Sequence, residues 1–449
     1  MSGLFGTDGI RGLANDGLDI HQAQKIGLAT GLVIGQAKGS RPVVAIGKDT
    51  RLSSDMLDAA IVAGLCAAGA DVMVLGVVPT PAVAFITAQS KADAGIMLSA
   101  SHNPFYDNGI KIFNGEGFKL SDNLEEQIET LILQEEPLPL CTHEKIGKVL
   151  RKNREWTKKY IDHLEKTAEG ELSGLKVLID CSHGAAFQTA SSLFSRLDLD
   201  VTIRKDRPNG LNINENCGST APAFLQEAVV SGGYDLGIAF DGDADRCILV
   251  DEKGAIINGD KIMGVCAKAL LEKGKLKHNT LVATVMSNLG LHDFAAKEGI
   301  SLLCTGVGDR LVLEEMLKGG FVLGGEQSGH FIFLENATTG DGQLAAIKFL
   351  DILCAAKKPA SELVREISTY PQELINITIE GSNEKKEAIM ASKQLQEAIA
   401  ETKAFLADKG RVLVRPSGTE PMIRVMVEAK EENIAKKTAE NLANLIKAI

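Results

Sequence analysis

Short apolar runs alternate with helix-patterned segments through most of this chain, and that alternation restricts the folds open to it. Residues 43–46, bounded by Pro42 and Gly47, read as a buried strand. Residues 53–68 then carry apolar side chains at helical spacing, with Ser53 or Ser54 as the expected N-cap. Residues 72–75 are strand-like, 81–88 helix-like and 94–98 strand-like again. Strands separated by helices build βαβ units on a largely parallel sheet. The charged, Pro-bearing stretch 134–154 reads as a linker or boundary. A second α/β unit follows, with strands expected at 176–179, 201–204 and 236–240, and a third, with strands at 281–285, 302–304 and 321–323. The last stretch changes character. Strands at 374–379, 411–415 and 423–429 join a charged helix at 384–401 and a final helix at 431–449, which suits a small α+β domain. The expected division is 1–150, 151–253, 254–367 and 368–449.

Composition narrows the class of function. Hydrophobic residues make up 45% of the chain, enough for packed cores, while a formal net charge of −11 repels nucleic acid and anionic membranes. A small anion can still bind where positive groups are focused. Eight cysteines are scattered with no C-x-x-C pair, and the polar, Gly-rich start MSGLFGTDGIRG has no secretory h-region. No run of 18 apolar residues occurs. A soluble, reducing, cytoplasmic setting is the expectation.

In open α/β sheets ligands bind at the carboxyl ends of strands, so the loops after the strands matter most. After 94–98 comes Ser99-Ala100-Ser101-His102-Asn103-Pro104, a hydroxyl at a strand end beside a turn-forming Asn-Pro. Alone it reads first as an ordinary polar turn whose serine caps its own backbone. A Ser-His-Asp hydrolase lacks its G-x-S-x-G elbow here, and the adjacent Ser101 and His102 are expected to point apart. After 236–240 comes Asp241-Gly242-Asp243-Ala244-Asp245-Arg246. Three carboxylates so close repel unless a hard cation such as Mg2+ or Ca2+ sits among them. An EF-hand is excluded: its sixth position is Arg246 in place of Gly, and strands flank it where helices belong. After 321–323 comes Gly324-Gly325-Glu326-Gln327-Ser328-Gly329-His330, which offers close backbone approach and the donors and acceptors that suit sugar hydroxyls. Finally Arg415-Pro416-Ser417-Gly418-Thr419-Glu420-Pro421, with Arg424 beyond it, supplies guanidinium forks and hydroxyls for a phosphate monoester. Together these describe a nucleophile, a cation site, a sugar-reading loop and a phosphate-reading loop. A phosphosugar handled by phosphoryl transfer uses all four.

Over its whole length the chain resembles the phosphohexomutase superfamily. The likeness is carried by Phe5-Gly6-Thr7-Asp8-Gly9-Ile10-Arg11-Gly12 and by the S-H-N-P, D-G-D-A-D-R, G-E-Q-S-G-H and R-P-S-G-T-E-P loops in the family's order. Gln327, where phosphoglucomutase/phosphomannomutase members usually have Met, is similar to the branch acting on glucosamine phosphates. The resemblance implies three α/β domains and a C-terminal α+β domain around a central cleft. It implies Ser101 as a covalent phosphoserine, completing a Mg2+ site with Asp241, Asp243 and Asp245. Glu326 and Ser328 would bind the sugar, and Arg415, Ser417, Gly418, Thr419 and Arg424 the phosphate that is not transferred. Thr7, Arg11 and Lys111 match positive or proton-handling positions. Arg246 and the 305–310 loop, with Gly308 and Asp309, would line the cleft, and Lys111 or His330 would take the hydroxyl proton. The implied reaction is interconversion of glucosamine 6-phosphate and glucosamine 1-phosphate through a sugar 1,6-bisphosphate, which also serves as activator. The resemblance allows a homodimer. Three alternatives stay open: a phosphoglucomutase/phosphomannomutase of the same mechanism, a metal-dependent sugar-phosphate phosphatase and a non-catalytic phosphosugar-binding protein.

Overall fold

The strand Ala94–Leu98 shows why the apolar runs fold as they do: all five of its residues are buried, so neither face can alternate with polar side chains. It lies inside a seven-stranded sheet whose order is Gly17–Leu18, Ile10–Ala14, Asp107–Asn114, Ala94–Leu98, Val43–Lys48, Asp71–Val77, Val149–Arg151. The computed structural model describes residues 4–6, 9–151, 153–379, 383–417 and 422–449. Val43–Lys48 pairs in parallel with both Asp71–Val77 and Ala94–Leu98, while Asp107–Asn114 runs antiparallel to Ala94–Leu98. The stretch read as a linker therefore contributes an edge strand, Val149–Arg151, parallel to Asp71–Val77. Three residues are too few to show a period, so only the ladder reveals them.

Two further sheets complete the first compact unit, formed by residues 1–286 and 299–365. The five-stranded one has the order Ile256–Ile257, Cys247–Asp251, Leu236–Phe240, Lys176–Asp180, Asp200–Arg204. The four-stranded one has Ser301–Thr305, Thr280–Thr284, Leu323–Gly325, Phe331–Phe333. The strand expected at 321–323 instead spans Leu323–Gly325, because its two glycines pair with Ile332 and Phe331. Each of the three sheets ends a strand just before one of the candidate loops. The helix Leu52–Ala67 lacks the expected serine cap. Arg51 stands at the cap position without a side-chain bond, and Ser54 Oγ donates to Asp49 Oδ1 at 2.9 Å.

The second unit comprises residues 287–298 and 366–449. Its sheet is antiparallel, with Met422–Ala429 between Gln372–Thr378 and Gly410–Pro416. The helix Glu432–Ala448 buries Ala435, Ala439, Leu442 and Ile446, an apolar stripe at helical spacing. The charged segment expected as one helix at 384–401 is two, Asn383–Ala391 and Lys393–Leu406. Ser392 breaks it, since its side chain caps the second helix by accepting from Leu395 N. The helix Leu289–Glu298 packs within this unit and is anchored by buried Glu428, which accepts from Leu289 N at 3.1 Å.

Candidate functional site

Ser101 is fully buried at the end of the Ala94–Leu98 strand, with φ at 52°, a left-handed conformation that a serine adopts only under constraint. The constraint is a buried polar network. Ser101 N donates to Ser99 Oγ at 2.9 Å, and Ser99 Oγ donates to Asp49 Oδ2 at 2.7 Å. Arg51 Nη2 and Asn214 Nδ2 both donate to the Ser101 carbonyl, at 2.8 and 2.9 Å. Arg51 is itself locked to Asp49 at 2.7 Å, both side chains being 0% exposed, and its Nη1 donates to the carbonyls of Pro104 and Asp107. Asp49, Arg51 and Asn214 stand outside the loops that the sequence marks. Asp49 and Arg51 directly follow the Val43–Lys48 strand, so the strand-end rule applied to every strand would have found them.

The left-handed turn brings Ser101 Oγ to 2.6 Å from Asp241 Oδ2, to which it donates. It also corrects one expectation: Ser101 and His102 do not point apart, since Ser101 Oγ lies 3.4 Å from His102 Nδ1. That Nδ1 is 3.1 Å from Arg246 Nη1. Burial, Arg246 and Arg11 in turn push His102 down to about 4, so its imidazole is neutral at pH 7 and can accept from the guanidinium.

Asp241, Asp243 and Asp245 sit in the tight loop joining the antiparallel strands Leu236–Phe240 and Cys247–Asp251. All three are buried, and one oxygen from each lies within 4.8 Å of the others. Burial holds the Asp241 carboxyl well above the usual carboxylate range, and its two acidic neighbours push it further up. Lys111 Nζ bridges Asp243 Oδ2 at 2.8 Å and Asp245 Oδ2 at 3.0 Å, and Thr80 Oγ1 donates to Asp243 Oδ2 at 2.6 Å. Asp243 Oδ1 is buried with no hydrogen-bond partner. One lysine does not neutralise three carboxylates, and hard oxygen donors with an orphaned buried oxygen fit a divalent cation such as Mg2+. Gly242 is required by proximity: a Cβ there would lie 2.5 Å from the Ser101 carbonyl oxygen.

The Gly-rich loop docks beside this cluster. Cys247 N donates to the Gly329 carbonyl at 2.9 Å, and a bridge joins Arg246 to His330. Gly329, at φ 99°, would drive a Cβ to 2.4 Å from the Cys247 carbonyl oxygen. Glu326 is held above the ordinary carboxylate range, chiefly by burial, while Gly308 N donates to its Oε1 at 3.2 Å. Asp309 pairs with Lys119 at 2.7 Å, and His330 Nε2 lies 3.6 Å from Asp309 Oδ2. Asp245, Arg246, Gly308, Glu326, Ser328 and His330 share a pocket of about 400 Å3, so the acidic loop and the Gly-rich loop face one space.

In the second unit, Arg415 and Arg424 stand directly opposite across the hairpin of Gly410–Pro416 and Met422–Ala429. Like charges in that register destabilise a sheet unless an anion offsets them. Burial, then Arg424, pulls Arg415 below the usual arginine range. Ser417 N donates to the Met422 carbonyl at 2.9 Å, and buried Lys386 donates to the Ser417 carbonyl at 2.7 Å. Lys386 belongs to a helix whose charged pattern reads as a solvated face, so no local signal marks it. Thr7, Gly418 and Thr419 lie outside the described residues. Among the described residues no helix is long and apolar enough to cross a membrane.

Comparison with known proteins bears on this arrangement. The chain matches the models of phosphoglucomutase/phosphomannomutase alpha/beta/alpha domain I over residues 2–138, domain II over 158–254 and domain III over 258–370, and of the C-terminal domain over 374–445. It is 50% identical to a phosphoglucosamine mutase of Geobacillus thermodenitrificans, over 100% of this chain and 99% of the relative. It is 48% identical to the one from Acetivibrio thermocellus, over 99% of each. Among solved structures it resembles a phosphoglucomutase/phosphomannomutase family protein from Burkholderia thailandensis, with TM-score 0.82, 24% identity, and 98% and 97% of the two chains covered. It also resembles Aspergillus fumigatus N-acetylphosphoglucosamine mutase solved with GlcNAc-6P and magnesium, with TM-score 0.71, 17% identity, and 99% and 95% covered. At these identities the two structures speak for the fold.

Proposed function

This chain belongs to the phosphoglucomutase/phosphomannomutase family, groups within it with the phosphoglucosamine mutases and is a phosphosugar mutase, an isomerase; from that premise we propose that it interconverts glucosamine 6-phosphate and glucosamine 1-phosphate through a phosphorylated Ser101. The observation that carries the reading is Ser101 Oγ, 2.6 Å from Asp241 inside a buried cluster of three carboxylates.

Ser101 Oγ carries the phosphoryl group. The bond from phosphorus to Oγ breaks as a bond to O1 of glucosamine 6-phosphate forms, and the proton of the 1-hydroxyl passes to a base. His330, lining the shared pocket, is the better placed base, because Lys111 is already committed to two carboxylates. The bisphosphate then turns over; its phosphorus–O6 bond breaks as a bond to Ser101 Oγ re-forms, O6 takes the proton back from the base, and glucosamine 1-phosphate is left. Asp241, Asp243 and Asp245 would hold Mg2+, which supplies charge neutralisation to a transferring phosphoryl group. Arg11 and Lys111 add positive charge on the Ser101 side. Glu326 and Ser328 would read sugar hydroxyls, with Arg246, Gly308 and Asp309 lining their surroundings; Thr7 would bind substrate, and Arg415, Ser417, Gly418, Thr419 and Arg424 would hold the phosphate that is not transferred. A sugar 1,6-bisphosphate serves as activator. The free thiol state of all eight cysteines is in keeping with a cytoplasmic enzyme.

Phosphorus NMR with Mg2+ and a trace of bisphosphate, on glucosamine, glucose and mannose 6-phosphates side by side, tests this. The expected result is much faster formation of the amino-sugar 1-phosphate. Faster conversion of glucose or mannose phosphate would move the substrate while keeping the mechanism. Release of free phosphate with no 1-phosphate would leave the metal and phosphate sites standing and overturn the interconversion.

A further inference from the structure

We propose that buried Asp260 is a specificity-determining residue that acts through Gln327, orienting its amide to favour a 2-amino sugar over a 2-hydroxy sugar. The inference rests on the substrate reading above and assigns a cause to it.

The helix Gly259–Glu272 begins directly against the Gly-rich loop. Gly259 N donates to the Gln327 carbonyl at 3.1 Å, and a Cβ on Gly259 would fall 2.3 Å from the Glu326 carbonyl oxygen. The next residue, Asp260, is 2% exposed, and its Oδ2 accepts from Gln327 Nε2 at 3.0 Å. An ionised carboxylate only accepts, so it dictates which way the amide lies: the NH2 faces Asp260, and the carbonyl Oε1 is the atom left for a ligand. Gln327 lines the same 400 Å3 pocket as Glu326 and Ser328, whereas Asp260 lies behind it. Gln327 therefore presents an acceptor, polarised by a buried negative charge. A 2-ammonium group brings donors and a positive charge to such an acceptor. A 2-hydroxyl brings one donor and no charge. The carboxylate thus separates the two sugars without touching either.

The test measures kcat/KM for glucosamine 6-phosphate and glucose 6-phosphate in the wild type, Asp260→Asn, Gln327→Met and the double variant. In Asp260→Asn the new amide can pair with Gln327 in either orientation. The preference for the amino sugar should then fall by about tenfold or more, the scale of losing a charge-assisted hydrogen bond, while glucose 6-phosphate turnover remains. Because Asp260 acts through Gln327, adding Asp260→Asn to Gln327→Met should change the ratio no further. An unchanged ratio in an active Asp260→Asn variant overturns the inference and leaves the substrate reading intact, as do additive effects in the double variant. A wild type that does not convert glucosamine 6-phosphate overturns the substrate reading itself. Should Asp260→Asn fail to fold, Asp260→Ser, which also removes the charge, carries the same expectation.

Discussion

At the scale of single residues, the proposed chemistry turns on how closely two loops approach. Ser101→Ala removes one hydroxyl and one hydrogen bond, a loss on the order of 1 kcal/mol of stability. Mutase turnover should nevertheless disappear, because no other described hydroxyl occupies its place against Asp241. Phosphorus NMR and a thermal melt on the same sample separate the two effects; full turnover in the variant would remove the covalent scheme. Gly242→Ala makes the opposite comparison, since it touches no reacting atom. Its Cβ would meet the Ser101 carbonyl at 2.5 Å, against backbone already gripped by Arg51 and Asn214. We expect a destabilisation of about 1–3 kcal/mol together with a turnover loss of at least about tenfold from displacement of the Ser101 hydroxyl. A variant with wild-type kinetics would show that the two loops are not held to their close approach.

At the scale of elements, the helix Gly342–Ala356 starts behind the acidic loop, and Gly342 N donates to the Ala244 carbonyl at 3.0 Å. Its cap is buried Asp341, which accepts from Gln343 N and Leu344 N at 3.0 Å each and from Tyr160 OH at 2.8 Å. Burial outweighs those donors and pushes its carboxyl from 3.8 up to about 6. A proton is therefore bound more tightly in the folded state. The corresponding stability is fully present below about pH 4 and is lost as pH rises through 6. Asp341→Asn keeps a good cap and has no charge to bury. Relative to the wild type it should gain as pH rises from 4 to 7, by roughly 3 kcal/mol at most. Urea midpoints of both proteins at the two pH values measure this; a constant difference would mean that Asp341 titrates as it does in water.

At the scale of the whole molecule, the chain order does not follow the compact units. Residues 287–298 interrupt the first unit and pack with 366–449, and Glu428 is the anchor. Its buried carboxylate takes Arg411 Nε at 2.7 Å, Leu289 N at 3.1 Å and Asn288 Nδ2 at 3.2 Å. Glu428→Ala would leave a guanidinium and a helix N-terminus without their acceptor. That should cost about 3–5 kcal/mol, read as an earlier thermal transition and as faster amide exchange over 287–298. Unchanged exchange there would mean that the helix is held by its apolar face alone.

What the sequence by itself determined is local. Apolar runs of strand length gave away the three α/β sheets, and residue types at strand ends marked the three Asp, Ser101, Glu326 and the Arg415–Arg424 loop. Those signals survive without tertiary information because period and turn chemistry are properties of neighbouring residues. Pairings between distant residues are not. Ser101 and Asp241 are 140 positions apart, Lys111 and Asp243 are 132, and Arg51 reaches Ser101 across 50. No periodicity encodes such meetings; they depend on which sheets pack and in what register. The left-handed turn that swings Ser101 and His102 to one side, the edge strand Val149–Arg151 and the break at Ser392 belong to the same class. Each is set by hydrogen bonds to partners, or by a ladder, that only the folded chain supplies. The sequence determined which groups are candidates for chemistry, and the tertiary structure decided which of them meet, because burial and distance are properties of the fold.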